Sequence, residues 1–304
     1  MKSGHHHPVS GRRLFWTIVL NAIITTAEFV AGLISGYLAL TADAVHNLSD
    51  VAALILAWFG VKGSQLPATK RSTYGFKRIE VMTAFISAVA LVVIALFIIW
   101  EAYKRMIQPE AIEMPGLFLT VAAIGLLGNL ASVFLLHREK DKSLNLRTAF
   151  LHMAFDTLSS VVVLIGGVVI LITGWTLIDP ILSVAIALMI FWSSYLVIRE
   201  ATLILMEAVP PGVDFDEVAR AIAGVDRVCS VHDLHIWSLS SYELALSCHI
   251  IVPEDSQGQG PVIVEAVDRL MCERFQIGHS TIQIEHEGCG RSNLLCGPEH
   301  RHTD

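Results

Sequence analysis

The sequence predicts a six-helix bundle in a membrane, followed by a small α+β domain. Two features of the sequence carry this prediction. Of the 304 residues, 54% are hydrophobic and only 16% are charged, and the charged residues are unevenly distributed along the chain. Soluble domains carry about 25% charged residues. Long apolar runs fill residues 14–100 and 115–200, whereas residues 207–304 have the composition of a soluble domain. A bilayer solvates such runs directly, but a single soluble core could not bury them.

Six apolar stretches are long enough to cross the hydrocarbon layer, which takes a helix of about 20 residues. They lie at residues 14–38, 41–62, 79–100, 115–136, 148–173 and 178–199. We therefore expect a membrane all-α six-helix bundle at residues 14–200, preceded by an N-terminal tail at residues 1–13.

The distribution of Lys and Arg predicts the orientation, because cytoplasmic loops hold the excess of both. With the N-terminus inside, the inner segments of the bundle carry 12 Lys and Arg, and the outer loops carry only Lys104 and Arg105. Both termini are therefore expected in the cytosol. The chain is predicted to be a multi-pass membrane protein of a bacterial inner membrane.

The pattern changes after Arg199 to that of a small soluble domain. Helical spacing runs over residues 214–223 and 261–275, and strand-like alternation runs over residues 228–239, 242–252 and 279–286. The order αββαβ predicts a two-layer α+β domain of ferredoxin-like type. We place this cytosolic domain at residues 207–287 and a C-terminal tail at residues 288–304.

Two membrane segments carry the same short motif, His-x-x-x-Asp. The first is His46 with Asp50, and the second is His152 with Asp156. Residues i and i+4 lie on one face of a helix, so each helix offers an imidazole and a carboxylate pointing the same way. Ionisable residues at bilayer depth are costly and usually functional. Two such helices together supply the four nitrogen and oxygen ligands of a tetrahedral Zn²⁺ site.

Other polar residues in the membrane segments leave alternatives open. A single His-x-x-x-Asp motif would be explained by a hydrogen bond between helices, but its occurrence twice favours metal binding. Asp43 either orients His46 or lies at the membrane interface. Glu28, Asn21 and Asn129 either line a water-filled path or form interhelical hydrogen bonds.

At this point the chain resembles the cation diffusion facilitator family, on its zinc-transporting side. The resemblance covers residues 14–287. It is carried by Ser35–Asp50, Tyr74–Glu80, Leu151–Asp156, Val231–Ser238 and His279–Glu285.

The resemblance implies a homodimer of six-helix protomers with cytosolic ferredoxin-like domains. It implies exchange of one divalent cation for protons by alternating access. Zn²⁺ is then the transported substrate, and the bilayer, a second copy and protons are the partners. The transport site would be His46, Asp50, His152 and Asp156, with His46 favouring zinc over cadmium or manganese.

The resemblance also implies a regulatory Zn²⁺ site in the cytosolic domain. His232, His249 and Glu285 match positions at which family members bind metal. His279 and His286 lie nearby in strand register and are candidates for additional ligands.

Further potential metal ligands in the soluble region are given less weight. His235 is expected to share a strand face with Asp233 and Trp237 and to have no metal role. Cys289 and Cys296 are separated by a gap unlike that of short zinc-binding motifs. The five cysteines, all in the C-terminal third, fit reduced thiols in the cytosol. No metal is expected in the loop at residues 62–78, which has no histidine.

Other functional classes fit less well. Nucleic-acid binding has no support, because 28 acidic residues outnumber 21 Lys and Arg and no basic stripe is present. An intramembrane metalloenzyme would need an activating base beside the metal, as in His-Glu-x-x-His, and this motif is absent. We therefore expect no enzyme activity. A metal sensor or scaffold with the same fold, which does not transport, remains the alternative.

A charged pair is expected where the last membrane segment meets the soluble domain. Lys77 and Arg78 end the inner loop before the third segment, and Glu207 follows the sixth. Related transporters resemble this arrangement, which suggests a Lys77–Glu207 ion pair with Arg78 as the other possible partner of Glu207. Contact of both basic residues with lipid phosphate is the alternative.

Overall fold

The computed structural model describes residues 11–109, 112–137, 144–256, 258–286 and 294. Within these ranges, some helical residues are described by their backbone alone. They are residues 11–21, 53, 54, 57, 58, 61, 132, 135, 136, 144–149, 151 and 152. Cys289 and Cys296 lie outside the described residues.

Six long helices occupy the predicted apolar stretches. They are α1 (Gly11–Ser35), α2 (Leu38–Ser64), α3 (Arg78–Ile107), α4 (Pro115–His137), α5 (Leu144–Thr173) and α6 (Ile178–Leu205). In the described residues, three helical stretches are long and apolar enough to cross a membrane: Arg78–Ile107, Met153–Thr173 and Ile178–Leu205. The helices are thus confirmed at the predicted places, and the count of six membrane spans stays a prediction.

The chain divides into two compact units. The helical unit comprises residues 1–56 and 86–196, and the mixed unit comprises residues 57–85 and 197–304. Each has its own hydrophobic core.

In the helical unit, a tight turn joins α1 to α2, the helix that carries the first His-x-x-x-Asp motif. Gly36 has a φ of 71°, a left-handed conformation that glycine adopts without strain. Tyr37 follows and is completely buried, and its hydroxyl donates a hydrogen bond of 2.6 Å to the Val163 carbonyl on α5. Its ring packs against Phe118 of α4. These contacts join α2 to the two helices beside it.

In the mixed unit, a three-stranded sheet lies against two helices. The elements are α7 (Phe215–Ala223), β1 (Ser230–Ser238), β2 (Leu244–Ile251), α8 (Gly260–Phe275) and β3 (Ile277–Glu285). β2 lies in the middle, antiparallel to β1 and parallel to β3. The predicted αββαβ order is confirmed. Ile222 of α7 and Met271 of α8 share one core with Leu246 and Ile250 of β2.

The first strand departs from simple alternation. The pairing of β1 with β2 shifts register between His232 and His235, and Asp233 has a φ of 49°. This β-bulge changes the direction in which the Asp233 side chain leaves the strand. Burial departs from alternation only at Val231 and His232, which are adjacent and both buried. From His232 onward it alternates, with Leu234 buried and His235 exposed.

Candidate functional site

Three of the four residues predicted for the membrane site meet between α2 and α5. The His46 Nε2 atom lies 3.8 Å from Asp50 Oδ2 and 3.5 Å from Asp156 Oδ1. One ligand atom from each residue lies within 4.8 Å of the others, so the three residues form a group that could hold one metal ion. His46 and Asp156 are only 8% and 3% exposed, and Asp50 is partly exposed.

Helix geometry explains how this cluster arises from the sequence. His46 and Asp50 are one turn apart on α2 and therefore share a face. Asp156 comes from the facing surface of α5, to which Tyr37 also bonds. His152 lies one turn before Asp156 on α5, but its side chain is outside the described residues. Its role as the fourth ligand stays a prediction.

A second layer of polar contacts lies beside the cluster. Asp43 is buried and accepts hydrogen bonds from the hydroxyls of Ser159 at 2.6 Å and Ser160 at 3.1 Å, both on α5. Asn129 of α4 donates a 3.0 Å hydrogen bond to the Ser160 hydroxyl. Asp43 thus ties α2 to α5 next to the candidate ligands. For Asn129, this contact supports the interhelical hydrogen bond.

Sequence reasoning missed a buried carboxylate at the N-terminus of α2. The Asp179 carboxylate of α6 accepts hydrogen bonds from the backbone nitrogens of Leu38, at 3.1 Å, and Ala39, at 2.7 Å. Arg105 of α3 lies 3.3 Å from the same carboxylate and also donates to the Gly36 carbonyl. A carboxylate at this point caps the free N–H groups of α2 and complements its dipole. The sequence showed only an Asp-Pro turn and an outer-loop arginine.

The mixed unit contains a second cluster, built from strands. His232 of β1 and His249 of β2 are directly paired, and their rings lie 5.2 Å apart. The Glu285 carboxylate lies 3.3 Å from His232 Nε2 and 3.0 Å from His249 Nδ1. One ligand atom from each of the three lies within 4.8 Å of the others. The structure therefore brings together the three main residues predicted for a cytosolic metal site.

Comparison with known proteins places both clusters within matched family domains. Residues 14–206 match the family model described as the cation efflux transmembrane domain. Residues 210–287 match the model described as the cation efflux protein, cytoplasmic domain. The chain belongs to the cation efflux family.

Three relatives of this cation efflux protein align along nearly their whole length. The zinc transporter ZitB of Escherichia coli (strain K12) is 36% identical, over 95% of this chain and 94% of its own. The metal cation efflux system protein CzcD of Cupriavidus metallidurans is 34% identical, over 96% and 93%. The cadmium, cobalt and zinc/H(+)-K(+) antiporter of Bacillus subtilis is 33% identical, over 97% and 96%.

The two additional histidines proposed for the cytosolic site of this cation efflux protein do not join its cluster. His279 is exposed and packs edge-on against the Tyr74 ring. It precedes Glu285 by six residues on β3, which at about 3.3 Å per residue amounts to about 20 Å. His286 directly follows Glu285 and is exposed. In the described part of the chain, neither belongs to a group of potential metal ligands.

Asp233 is a neighbour of the cytosolic cluster that alternation alone did not reveal. Its carboxylate lies 3.6 Å from His249 Nε2 and 3.2 Å from His235 Nε2. The β-bulge makes this approach possible. His249 thus has Glu285 beside one ring nitrogen and Asp233 beside the other.

The structure contradicts the predicted Lys77–Glu207 pair and shows the alternative partner of Glu207, Arg78. Arg78 pairs with Glu207 at 2.7 Å, and Lys77 pairs with Glu243, just before β2. Arg78 is the first residue of α3, whereas Lys77 belongs to the preceding turn. All four residues belong to the mixed unit.

Proposed function

We propose that this chain exports Zn²⁺ from the cytosol across a membrane in exchange for protons, working by alternating access as a homodimer. Divalent metal cation efflux is the coarse activity of its family. The observation that carries the proposal is the convergence of His46, Asp50 and Asp156 inside the region matched as a cation efflux transmembrane domain.

The chemistry of the cluster suits a zinc ion held at membrane depth. Two carboxylates neutralise the double charge of the cation, and His46 adds a nitrogen ligand. His152, one helical turn before Asp156, is proposed as the fourth ligand. Zn²⁺ accepts nitrogen and oxygen ligands in a tetrahedral arrangement. A neutral complex is far less costly to hold in a low-dielectric interior than a bare charge.

Proton exchange follows from the same ligands. Metal binding requires a neutral imidazole and ionised carboxylates, so protons and Zn²⁺ compete for the site. Imidazole exchanges protons near neutral pH in water. Either His46 or His152 is proposed as the exchanging group. The name of the Bacillus subtilis relative includes zinc and H(+), which supports this part of the proposal.

The cytosolic cluster is proposed to bind a regulatory Zn²⁺ through His232, His249 and Glu285. Its position in the domain matched as the cytoplasmic domain of cation efflux proteins supports this role. Six membrane spans, cytosolic termini and an inner-membrane location complete the proposal. Arg78 and Glu207 replace Lys77 and Glu207 as the ion pair proposed where the last membrane segment meets the soluble domain.

The test is zinc flux into sealed proteoliposomes that contain a zinc-sensitive dye. Wild-type protein should take up zinc when a pH gradient is imposed, and Asp156→Ala should reduce uptake to the level of protein-free vesicles. Asp226→Ala, which removes an exposed carboxylate from a loop, is the matched control and should transport normally. A sensor or scaffold would bind zinc without any flux, and wild-type uptake in Asp156→Ala would contradict the site.

A further inference from the structure

Glu28 on α1 is a buried carboxylate that the proposed metal site does not use. It is 2% exposed, and it lies against Gly125 of α4, where any side chain would overlap the carboxylate. Among the residues whose side chains the structure describes, none forms a hydrogen bond or ion pair with Glu28. The interhelical hydrogen bond considered from the sequence therefore does not account for this residue.

In the described part of the chain, contacts on α4 and α5 connect the position of Glu28 to the Asp43 carboxylate of α2. Gly125, against which Glu28 lies, is one helical turn before Asn129, which donates a hydrogen bond to the Ser160 hydroxyl, and that hydroxyl donates to Asp43. Among the described side chains, Asp43 receives hydrogen bonds from Ser159 and Ser160, and Glu28 receives none. On α4, Gly125 faces Glu28 and Gly128 faces Ile24 of α1, and neither glycine supplies a charge or a side-chain donor.

This arrangement favours one proton on the carboxylate pair. A buried carboxylate without a donor or cation is costly to ionise, and two neighbouring carboxylates resist ionising together. The hydroxyls of Ser159 and Ser160 stabilise the charge on Asp43, so the proton is expected on Glu28. Asp43 also lies three residues before His46 on α2, and its donor Ser159 lies three residues after Asp156 on α5. It therefore stands between Glu28 and the metal ligands.

We propose that Glu28 is a proton-binding site of the transport cycle, separate from the metal ligands. This inference rests on the proposed exchange of zinc for protons. A Zn²⁺ ion at His46, Asp50 and Asp156 adds positive charge near Asp43 and weakens the penalty for ionising Glu28. Its carboxylic acid then releases H⁺. By reciprocity, a proton on Glu28 weakens zinc binding by the same factor.

The experiment measures zinc and proton movement in the same proteoliposomes, with one dye for each ion. Glu28→Gln keeps the size of the side chain but cannot ionise. The number of protons exchanged per zinc ion should fall by about one, while calorimetric zinc binding at high pH should stay within about threefold of wild type. Glu28→Asp, which still ionises, should restore the wild-type ratio at a reduced rate.

Two further variants keep the test decisive. Glu113→Gln removes an exposed carboxylate from the same unit and should leave the ratio unchanged. Gly125→Ala should displace the Glu28 carboxylate and lower the number of protons exchanged per zinc ion. This variant tests the role of Glu28 if Glu28→Gln fails to fold.

The possible results separate this inference from the proposed function. Wild-type protein that transports zinc without moving protons would refute proton exchange itself. Wild-type protein that exchanges protons, together with an unchanged ratio in Glu28→Gln or in Gly125→Ala, would overturn the role of Glu28 alone.

Discussion

The two clusters use the same residue types on different frameworks. In the helical unit, His46, Asp50 and Asp156 come from two helices and bring two carboxylates to one described imidazole. In the mixed unit, His232, His249 and Glu285 come from adjacent strands and bring two imidazoles to one carboxylate.

This difference matches the two proposed tasks. Two carboxylates neutralise a divalent cation, as a site inside a membrane requires. A site in a soluble domain has water nearby and can hold a cation with one carboxylate. The strand ligands sit on a hydrogen-bonded ladder, whereas the helix ligands depend on how α2 packs against α5. Packing between helices can change during a transport cycle more easily than pairing within a sheet.

The largest expected effect separates the two clusters by function. Asp50→Ala should reduce zinc flux in proteoliposomes to background, because a lost ligand leaves the cation short of both charge and coordination. The double variant His232→Ala, His249→Ala should keep measurable flux and lose one bound zinc ion per chain, counted by mass spectrometry of the intact protein. Loss of all flux in the double variant would mean that the second cluster is not merely regulatory.

The next effect concerns the framework that carries the first cluster. Asp179→Ala should destabilise the protein by roughly 1–3 kcal/mol, because it removes a hydrogen-bonded carboxylate from the partly buried Arg105 and uncaps α2. Thermal unfolding in detergent measures the loss. Glu101→Gln is the comparison variant. Glu101 is a second carboxylate near Arg105, at 3.7 Å, but none of the hydrogen bonds described above joins it to α2. Equal effects of the two variants would contradict the cap.

A third effect tests whether thiolates take part in the cytosolic cluster. Burial raises the pKa of Cys248, which neighbours His249, from its ordinary value of 9.0 to about 12. At pH 8 we expect Cys248 to react with iodoacetamide far more slowly than the exposed Cys229 and Cys272. Peptide mass spectrometry measures the rates, and equal labelling of all three residues would refute the burial argument.

The same pKa shift has a consequence for stability. The unfolded thiol ionises above about pH 9, whereas the folded thiol keeps its proton until about pH 12. The unfolded state therefore binds fewer protons in this interval, and the unfolding free energy contributed by Cys248 falls as pH rises, by at most about 1.4 kcal/mol per pH unit. A Cys248→Ala variant should lack this part of the pH dependence.

The smallest effect concerns the exposed ion pair. Arg78→Glu places like charges beside each other at Glu207, and the exchanged pair Arg78→Glu, Glu207→Arg should recover part of the loss. Because both side chains are well exposed, the pair is worth about 0–1 kcal/mol. Thermal unfolding and flux should both be measured. No recovery in the exchanged pair would favour contact of Arg78 with lipid phosphate instead.

Much of this structure could be predicted from the sequence, because its elements depend on local sequence patterns. Apolar length placed six helices, and changes of periodicity placed αββαβ. The i and i+4 spacing of His46 and Asp50 put them on one face of α2 whatever that helix packs against. For Glu285, however, only the resemblance to a known family suggested a place beside His232 and His249. Strand pairing across 36 residues has no local signature.

What the sequence by itself determined is the content of each element and the face on which its polar residues lie, since both follow from backbone periodicity. Only the tertiary structure decided which faces meet. Asp179 caps a helix that begins 141 residues earlier in the chain, and Asp43 finds its donors on α5. The bulge at Asp233 and the pairing of Glu207 with Arg78 both depend on the backbone conformation of a few residues. Periodicity averages over such details, and therefore cannot predict them.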